Sequence, residues 1–332
     1  MKILFVASGN KAVGQVNSFV RSQYDSLAKA GEQMLLFPVV GHGLKGYMSN
    51  LKALRQTIQK EEPDIIHAHY STCGLLASIA CCGVRYKSGN RPKVFVSLLG
   101  SFPKHNFKYR YVRFFIKHIW DGALVKSERT RSQLGLPLPV VPNGVNTNIF
   151  HPMEMSEARV KVGFETDKRY IVWCSNPSRP EKNWLLAEKA VDRLNAQRQE
   201  KNEKPVILVP VYDHTPEQVA TYINAADCML LTSDTEGSPN VIKESMACNC
   251  PIVTTDVGDV RERLTGLEGC YIVEDNNIRF SEINKAVPLV AASLQQALAF
   301  AKRTKGKERI EKDRLQIAAI ARRIIQIYQQ LC

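Results

Sequence analysis

Two glutamates, Glu236 and Glu244, stand eight positions apart, the first in a predicted turn and the second on the helix predicted to follow it. An apolar run precedes the turn, and Ser238 and Pro239 occupy the positions expected for a helix N-cap and first helical residue. The N–H groups and dipole of such a helix start suit an anionic or hydroxyl-rich ligand. Asn240 shares a helix face with Glu244, since the two are four residues apart. Carboxylates accept hydrogen bonds from vicinal sugar hydroxyls, so the segment predicts a sugar site, although either glutamate alone also fits an ordinary surface.

The elements that position this segment are short apolar runs separated by stretches of helical spacing. This alternation indicates right-handed crossovers and parallel sheets covered by helices on both faces. Ligands of such sheets bind at the carboxyl ends of the strands. The predicted strands are 3–7, 34–39, 65–69, 94–98, 123–125 and 140–141, followed by 170–174, 206–211, 228–232, 251–255 and 270–273; the predicted helices are 16–30, 51–60, 75–82, 107–120, 185–197, 216–225, 238–247 and 315–331.

The turn-rich segment 142–152 separates two repeats of this plan. We therefore predict two doubly wound domains that face each other across a cleft. The first comprises residues 1–150, and the second begins at residue 151.

Composition narrows the class of protein. The 332 residues are 44% hydrophobic and 23% charged, which excludes a disordered chain, a collagen-like repeat and a coiled-coil rod. No stretch reaches the roughly 20 apolar residues of a membrane span. The nine cysteines include no CxxC pair, so a zinc ribbon and a thioredoxin motif are excluded. The start MKILFVAS has no small-residue cleavage site, so we expect a cytoplasmic protein.

The net charge of +13 is unevenly distributed. Residues 1–150 carry 20 of the 45 Lys and Arg but only 7 of the 32 Asp and Glu, so the remainder is neutral overall. Such asymmetry indicates that the first domain meets an anionic partner: nucleic acid, a phospholipid surface or a phosphorylated substrate. A basic surface that serves only solubility is the alternative.

The segment 232–262, TSDTEGSPNVIKESMACNCPIVTTDVGDVRE, resembles the signature of glycosyltransferase family 4. Three further segments resemble family landmarks in the same order. They are PDIIHAHYS at 63–71, PNGVNTNIFHP at 142–152 and SNPSRPEKN at 175–183. The resemblance implies the GT-B fold, two Rossmann-like domains across a cleft. In that fold the last helix, at about 313–332, returns to the first domain, so the second domain comprises residues 151–312. The resemblance also implies retaining transfer of a sugar from a nucleotide diphosphate sugar.

The resemblance assigns roles in the second domain. Glu236 is expected to hold the transferred sugar and Glu244 the ribose hydroxyls, while the backbone from Gly237 to Asn240 contacts sugar and phosphate. Arg179 and Lys182 match the cationic positions of the family loop, and cations there would stabilise the charge that builds on the leaving diphosphate. Either cation alone also fits a surface turn. No DxD triad follows a strand, so we expect neither a metal ion nor another cofactor.

In the first domain, the resemblance implies that Gly14 approaches the phosphates where a side chain would clash. The turn that contains it is not a full GxGxxG, so it gives no support for dinucleotide binding. The loop 97–103 corresponds to a family loop that often reads His-Gly-Ser-Asp. Gly100 and Ser101 are therefore acceptor-side candidates, and Leu99 stands where the family has His.

His67 and His69 are two further acceptor-side candidates on one predicted strand. We expect one ring to face the cleft and the other to face the core. As a metal-binding pair they have little support, and each also fits a buried structural histidine.

Residues 104–120 combine six aromatic residues with five Lys and Arg. At helical spacing Arg110, Arg113 and Lys117 form one stripe, beside an apolar face. The pattern fits equally a core helix with a solvated basic edge and a helix that rests on anionic lipid. Lipid is favoured over nucleic acid, because aromatic residues at helical spacing are expected to be mostly buried, whereas the platforms that stack bases are exposed strands. The apolar face consists of Phe107, Tyr111, Phe114 and Phe115.

Together these features predict a metal-independent retaining glycosyltransferase of the envelope or exopolysaccharide type. Its expected partners are a nucleotide sugar, a lipid-linked or polysaccharide acceptor and an anionic membrane surface at the inner face of the plasma membrane, with no nucleic acid. A sugar-nucleotide epimerase or phosphorylase on the same fold is a second interpretation. A basic nucleic-acid-binding or scaffold protein whose sugar site has decayed is a third.

Overall fold

The structure is a computed structural model that describes residues 1–10, 14–100, 102, 107–273 and 282–331. The chain divides into two compact units. Unit 1 comprises Met1–Gly144 and Ile317–Cys332, and unit 2 comprises Val145–Gln316.

Each unit contains a five-stranded sheet in which every pairing is parallel. The strand order is β2-β1-β3-β4-β5 in unit 1 and β10-β9-β8-β6-β7 in unit 2. The strands are β1 (Lys2–Ser8), β2 (Gln33–Val39), β3 (Ile65–His69), β4 (Lys93–Leu98), β5 (Gly122–Val125), β6 (Arg169–Trp173), β7 (Val206–Pro210), β8 (Cys228–Leu231), β9 (Ile252–Thr255) and β10 (Cys270–Val273).

Helices connect successive strands, as parallel pairing requires. In chain order they are α1 (Ser18–Lys29), α2 (Gly43–Met48), α3 (Leu51–Glu61), α4 (Ser71–Cys81), α5 (Phe107–His118), α6 (Glu128–Leu134), α7 (Met155–Val162), α8 (Trp184–Glu200), α9 (Pro216–Ala225), α10 (Asn240–Ala247), α11 (Val260–Leu264), α12 (Ile283–Phe300), α13 (Gly306–Lys312) and α14 (Ile317–Gln329).

The sheet of unit 1 is buried on both faces. Along β1, Phe5 packs with Leu27 of α1 and Ile324 of α14 on one face, whereas Leu4 packs with Leu54 of α3 on the other. All five side chains are fully buried. Because successive residues of a strand point to opposite faces, a strand covered on both sides must be apolar throughout, which explains the continuous run ILFVA.

Unit 2 is built in the same way. Trp173 of β6 packs with Leu186 of α8 and Leu294 of α12, and its neighbour Val172 packs on the opposite face with Ile242 of α10. Each fully buried side chain of this size contributes roughly 1.5–3 kcal/mol through the loss of exposed apolar surface.

The strand order of each unit reverses direction once. In unit 1 the reversal lies between β1 and β3, and in unit 2 it lies between β6 and β8. Loops that leave the carboxyl ends of these strand pairs diverge and open a crevice, which is the usual ligand position in such sheets. Among the described helices, none has both the length and the apolarity that a membrane crossing requires.

The predicted alternation of parallel strands and helices is confirmed. The predicted strand 140–141 is wrong, since Val140 forms only an isolated bridge with Val125. Helix α12 was not predicted, although Ile283, Val290 and Leu294 are buried at helical spacing along it. Pro288 inside this helix interrupts the local sequence signal.

Candidate functional site

The loops after β6 and β8 leave the reversal point of unit 2 and are joined by hydrogen bonds. The hydroxyl of Thr232 donates to the backbone carbonyls of Lys182 and Asn183, each at 3.0 Å, and accepts from the indole N–H of Trp173 at 2.9 Å. The amide of Asn183 donates to Asp234 Oδ1 at 3.1 Å. These contacts fix the end of one loop against the start of the other.

Lys182 and Glu236 form an ion pair across the two loops. The Lys182 ammonium donates to Oε1 of Glu236, and the Ser233 hydroxyl donates to the same oxygen at 2.9 Å. Each of the paired side chains is 17% exposed. Among the described residues, none donates to Oε2 of Glu236. The pair therefore presents one carboxylate oxygen and one ammonium at the edge of the crevice.

Arg179 lies three residues before Lys182 but has a different partner. Its guanidinium donates to Oε1 of Glu181, from Nε at 2.9 Å and from Nη2 at 2.5 Å. The Arg179 side chain is 57% exposed. The structure thus brings Lys182 to Glu236 and leaves Arg179 at the solvent-exposed rim of the same loop.

The turn between β8 and α10 differs from the expected cap. The prediction that Ser238 is the N-cap is wrong, because Pro239 occupies that position and α10 begins at Asn240. Ser238 instead donates from its hydroxyl to Oδ2 of Asp259 at 2.8 Å and accepts from the ammonium of Lys243 at 2.7 Å. The Ser238 hydroxyl, which the sequence predicted to cap the helix, therefore bonds to Asp259 and Lys243 instead.

Gly258, in the loop that follows β9, lies in close contact with this turn. Gly258, after β9, has a φ of +58°, and a Cβ built on it would lie 2.7 Å from the carbonyl oxygen of Gly237. Any side chain at position 258 would displace the backbone of Gly237. The backbone from Gly237 to Pro239 is therefore held between α10 and the loop that follows β9.

Glu244 projects from α10 one turn after Asn240. It is partly buried, and its carboxylate forms no hydrogen bond or ion pair with any residue that the structure describes. Desolvation by burial raises the pKa of Glu244 to about 7, and the neighbouring charge of Lys243 opposes this shift. A desolvated acceptor without a partner is ready to bind a hydroxyl-bearing ligand.

The expectation that one of His67 and His69 faces the cleft is wrong. Both rings are fully buried in unit 1 and stack on each other with centroids 4.5 Å apart, since residues two apart on a strand share a face. Nδ1 of His67 lies 2.5 Å from the Tyr328 hydroxyl, and Nε2 lies 2.7 Å from that of Ser97. Neither histidine can therefore contact the acceptor substrate in this conformation.

The other candidates in unit 1 are loop residues: Gly14, expected near the donor phosphates, and Gly100 and Ser101 on the acceptor side. Gly14 has a φ of +79°, and its N–H donates to the carbonyl of Gly9 at 3.0 Å. A Cβ at Gly14 or Gly100 would meet nothing within 4 Å, so no described residue forces a glycine there by close contact. Ser101 lies outside the described residues.

The predicted basic stripe on α5 is only partly exposed. Arg110 and Lys117 are exposed, whereas Arg113 is partly buried and donates to the carbonyl of Leu134 at the end of α6. On the apolar side, Phe107 and Phe114 are 78% and 54% exposed.

Sequence reasoning did not identify five residues that hold the site in place. One of them could have been found from the sequence: Lys243 is a charged residue next to Ile242, in a helix whose residues are mostly buried. The five residues are Asn183, Thr232, Lys243, Gly258 and Asp259.

Across the part of the chain that the structure describes, no group of three or more His, Cys, Asp or Glu could hold a metal ion.

Two family profiles match this chain and together cover well over half of it. The profile described as "Glycosyltransferase Family 4" matches residues 16–149, and that described as "Glycosyl transferases group 1" matches residues 169–295. The chain belongs to glycosyltransferase family 4.

Curated relatives of this glycosyltransferase are distant. It is 25% identical over 63% of its length to the putative teichuronic acid biosynthesis glycosyltransferase TuaC of Bacillus subtilis. It is also 25% identical over 63% of its length to the lipopolysaccharide core biosynthesis mannosyltransferase LpsB of Rhizobium meliloti. The aligned regions span 57% of TuaC and 67% of LpsB.

Solved structures share the fold over nearly the whole glycosyltransferase. A sucrose-phosphate synthase from Thermosynechococcus elongatus matches with a TM-score of 0.72 at 18% identity, over 99% of this chain and 98% of that one. HepE of Anabaena, solved with UDP-glucose, matches with a TM-score of 0.67 at 16% identity, over 99% and 100% of the two chains. The predicted GT-B architecture, two parallel α/β sheets with flanking helices, is thereby confirmed.

Proposed function

We propose that this glycosyltransferase moves a hexose from a nucleotide diphosphate sugar to a hydroxyl of a lipid-linked or polysaccharide acceptor. The transfer retains the anomeric configuration and needs no metal ion. The observation that carries the proposal is the Lys182–Glu236 pair at the reversal point of the unit 2 sheet, on the same sheet edge as the Glu244 carboxylate.

The charges at this edge suit both ends of a nucleotide sugar. Glu236 and Glu244 are acceptors for hydroxyl groups, and the open Oε2 of Glu236 remains available while Oε1 accepts from Lys182. In this proposal the Lys182 ammonium stabilises the negative charge on a departing phosphate, as cations aimed at developing charge do in other enzymes. Arg179 at the rim can leave Glu181 for the diphosphate, because that ion pair is exposed and therefore weak.

The proposed reaction is a substitution on one face of the sugar. The bond between the anomeric carbon and the diphosphate oxygen breaks, and a bond from that carbon to the acceptor oxygen forms. The proton of the acceptor hydroxyl passes to the departing phosphate oxygen. Cationic side chains stabilise the resulting nucleoside diphosphate, so metal-independent transfer predicts that a chelator leaves the rate unchanged.

Two sets of relatives support the substrate classes. HepE was solved with UDP and with UDP-glucose, which supports a nucleotide sugar as donor. TuaC and LpsB are named for the biosynthesis of teichuronic acid and of the lipopolysaccharide core, which supports an acceptor of the cell envelope.

Helix α5 supports attachment to an anionic membrane surface. Phe107, Arg110, Phe114 and Lys117 follow the spacing that brings residues to one helix face, and all four are exposed. Aromatic rings flanked by cations are typical of helices that lie in the interface of anionic lipid. We therefore propose a peripheral protein at the cytoplasmic membrane face, where lipid-linked acceptors are displayed.

Donor binding is the first test. A thermal-shift panel of UDP-, GDP- and ADP-sugars should raise the melting temperature of the protein for at least one donor, because a ligand of the native state stabilises it. If no donor in the panel raises the melting temperature, the proposed activity is wrong.

Turnover of the selected donor is the second test. Lys182→Met and Glu244→Gln should each lower the rate by about a hundredfold or more, whereas Lys189→Met, an exposed lysine of α8, should not change it. Mass spectrometry should find a glycosylated acceptor, and NMR of that product should show the anomeric configuration of the donor. An isomerised nucleotide sugar or a sugar phosphate as the main product would identify an epimerase or a phosphorylase instead.

A further inference from the structure

A lysine is buried beneath the turn of the candidate donor site. Lys243 belongs to α10 and is 1% exposed, with Ile242 and Met246 of the same helix buried beside it. Burial lowers the pKa of its ammonium, and the charge of Asp259 opposes this shift. A charged side chain is costly at such a position, so its presence calls for a role that an apolar residue of the same size could not perform.

The ammonium of Lys243 holds the turn by two hydrogen bonds. It donates to the hydroxyl of Ser238 at 2.7 Å and to the carbonyl of Pro239 at 3.0 Å. The Ser238 hydroxyl in turn donates to Oδ2 of Asp259 at 2.8 Å. One relay thus runs from the helix through the turn to the loop that follows β9.

The positive charge of Lys243 has acidic neighbours but no direct partner: the charges of Asp259, Glu244 and Glu236 favour it through space, and that of Arg263 opposes it. The ammonium forms no direct ion pair with a carboxylate of the described residues. The nearest acidic group of the relay, Asp259, is shared with Arg263, whose Nε donates to the same Oδ2 at 3.1 Å. Because the surroundings are buried, the charge of this ammonium is poorly screened and acts on the turn that its hydrogen bonds hold.

The turn itself retains donors for a ligand. The backbone N–H groups of Gly237 and Ser238, both buried residues, donate to no residue that the structure describes. Gly258 fixes the other side of the turn by its close approach to the Gly237 carbonyl. A rigid turn with N–H groups and a cation beneath it has the chemistry of a diphosphate cradle.

We propose that Lys243 is a positioning residue for the diphosphate of the donor: it fixes the Gly237–Pro239 turn through Ser238 and supplies the buried positive charge that the diphosphate compensates. The inference rests on the proposed function, because it assigns a role within that donor site. Lys243 does not touch the ligand, since the turn lies between them. Its contribution should therefore be specific to the phosphates and absent for the nucleoside.

Calorimetry on the full chain tests this specificity. The probes are UDP, GDP and ADP, each measured beside its own nucleoside. Lys243→Met removes the charge and both hydrogen bonds, and Lys243→Gln removes the charge but keeps a hydrogen-bond donor. Both should weaken binding of the preferred diphosphate by about tenfold while the affinity for the nucleoside stays the same. Lys189→Met on the surface of α8 is the matched control and should change neither affinity.

Three results would overturn the inference while leaving the proposed function intact. The first is a diphosphate affinity unchanged in both folded variants. The second is an equal loss for diphosphate and nucleoside, which would show that Lys243 only stabilises the unit. The third is an unchanged diphosphate affinity in Ser238→Ala, the variant to use if neither Lys243 variant folds. That substitution removes the hydroxyl at the centre of the relay, so an unchanged affinity would reject the role of the relay. A wild-type protein that binds none of the three diphosphates would reject the proposed function, and the inference with it.

Discussion

The ammonium of Lys182 donates to the carboxylate of Glu236, and this ion pair joins the loop after β6 to the loop after β8. The two residues are 54 positions apart in the chain. They meet because β6 and β8 are neighbours in the sheet and both loops leave its carboxyl edge. The pair keeps both side chains at the reversal point, where the ends of a nucleotide sugar are expected to bind.

A double-mutant cycle should show that Lys182 and Glu236 act as one unit. Lys182→Met leaves Glu236 without its cation, and Glu236→Gln leaves Lys182 without its anion, so each should lower kcat/KM by about a hundredfold. The double variant should lose little more than either single one, because the second change finds the pair already broken. Losses that multiply in the double variant would contradict this coupling. The measurement is donor turnover at saturating acceptor.

Donor affinity should depend on the protonation of Glu244. Its pKa is raised to about 7 by desolvation, so the carboxylate form that accepts ribose hydroxyls becomes dominant as the pH rises through neutrality. Affinity for the nucleotide sugar should therefore increase from about pH 6 to about pH 8. Glu244→Gln should bind more weakly and show no such rise, and a rise of equal size in that variant would assign the titration to another group.

The raised pKa of Glu244 should also make the stability of the protein depend on pH. A carboxyl with a raised pKa binds more protons in the folded state than in the unfolded state, so its contribution to stability declines as the pH rises from about 4.5 to above 7. Chemical denaturation of the ligand-free protein should show that Glu244→Gln removes this decline. A wild-type protein whose midpoint changes with pH just as that of Glu244→Gln does would contradict the shift.

The sequence predicts the fold of this glycosyltransferase because its buried strands leave a strong local signal. A strand such as β1, covered on both faces, carries the continuous apolar run ILFVA, and the predicted strand 3–7 lies within its bounds, Lys2–Ser8. The acidic turn and the cationic loop were also identified, because their residue types stand out in order along the chain.

The contacts within the site could not be predicted, because they depend on tertiary distances. Nothing local reveals that the Ser238 hydroxyl is taken by Asp259 and Lys243 rather than by the helix end. The expectation that His67 and His69 face opposite ways fails for a different reason, since the two-residue period of a strand places both side chains on one face.

Gly258 should be sensitive to the smallest substitution. Gly258→Ala combines a positive φ with a Cβ 2.7 Å from the Gly237 carbonyl oxygen, so we expect a loss of stability of about 2–3 kcal/mol together with weaker donor binding. Gly163→Ala is the matched control, because Gly163 has a φ of +73° but open space around the added Cβ. It should cost only about 1 kcal/mol and leave donor binding unchanged. Equal effects of the two substitutions on donor affinity would show that the contact with the turn is unimportant.

Tyr328 should stabilise unit 1 through the buried His67. Tyr328→Phe leaves Nδ1 of the imidazole without its partner in the core, which should cost about 1–3 kcal/mol in denaturant unfolding. Tyr271→Phe removes an exposed hydroxyl and should have almost no effect. Burial also lowers the pKa of His67 well below its usual value, so the contribution of this histidine to stability is lost as the pH falls below about 6.5. A Tyr328→Phe variant as stable as wild type would show that the buried hydrogen bond is dispensable.

The exposed face of α5 should decide attachment to lipid vesicles. Arg110→Ala/Lys117→Ala removes two exposed cations without touching Arg113, whose hydrogen bond to Leu134 is part of the fold. Since each cation near an anionic surface contributes about 1 kcal/mol, the double variant should bind phosphatidylglycerol vesicles about thirtyfold more weakly. Phe107→Ser/Phe114→Ser should weaken the binding independently of salt, because those rings contribute by burial of apolar surface. The control Lys52→Ala/Lys87→Ala changes two exposed lysines of the same unit outside α5, so it matches the loss of charge. If the control weakens sedimentation as much as the α5 variant does, attraction is a property of the basic unit as a whole, and the helix has no special role.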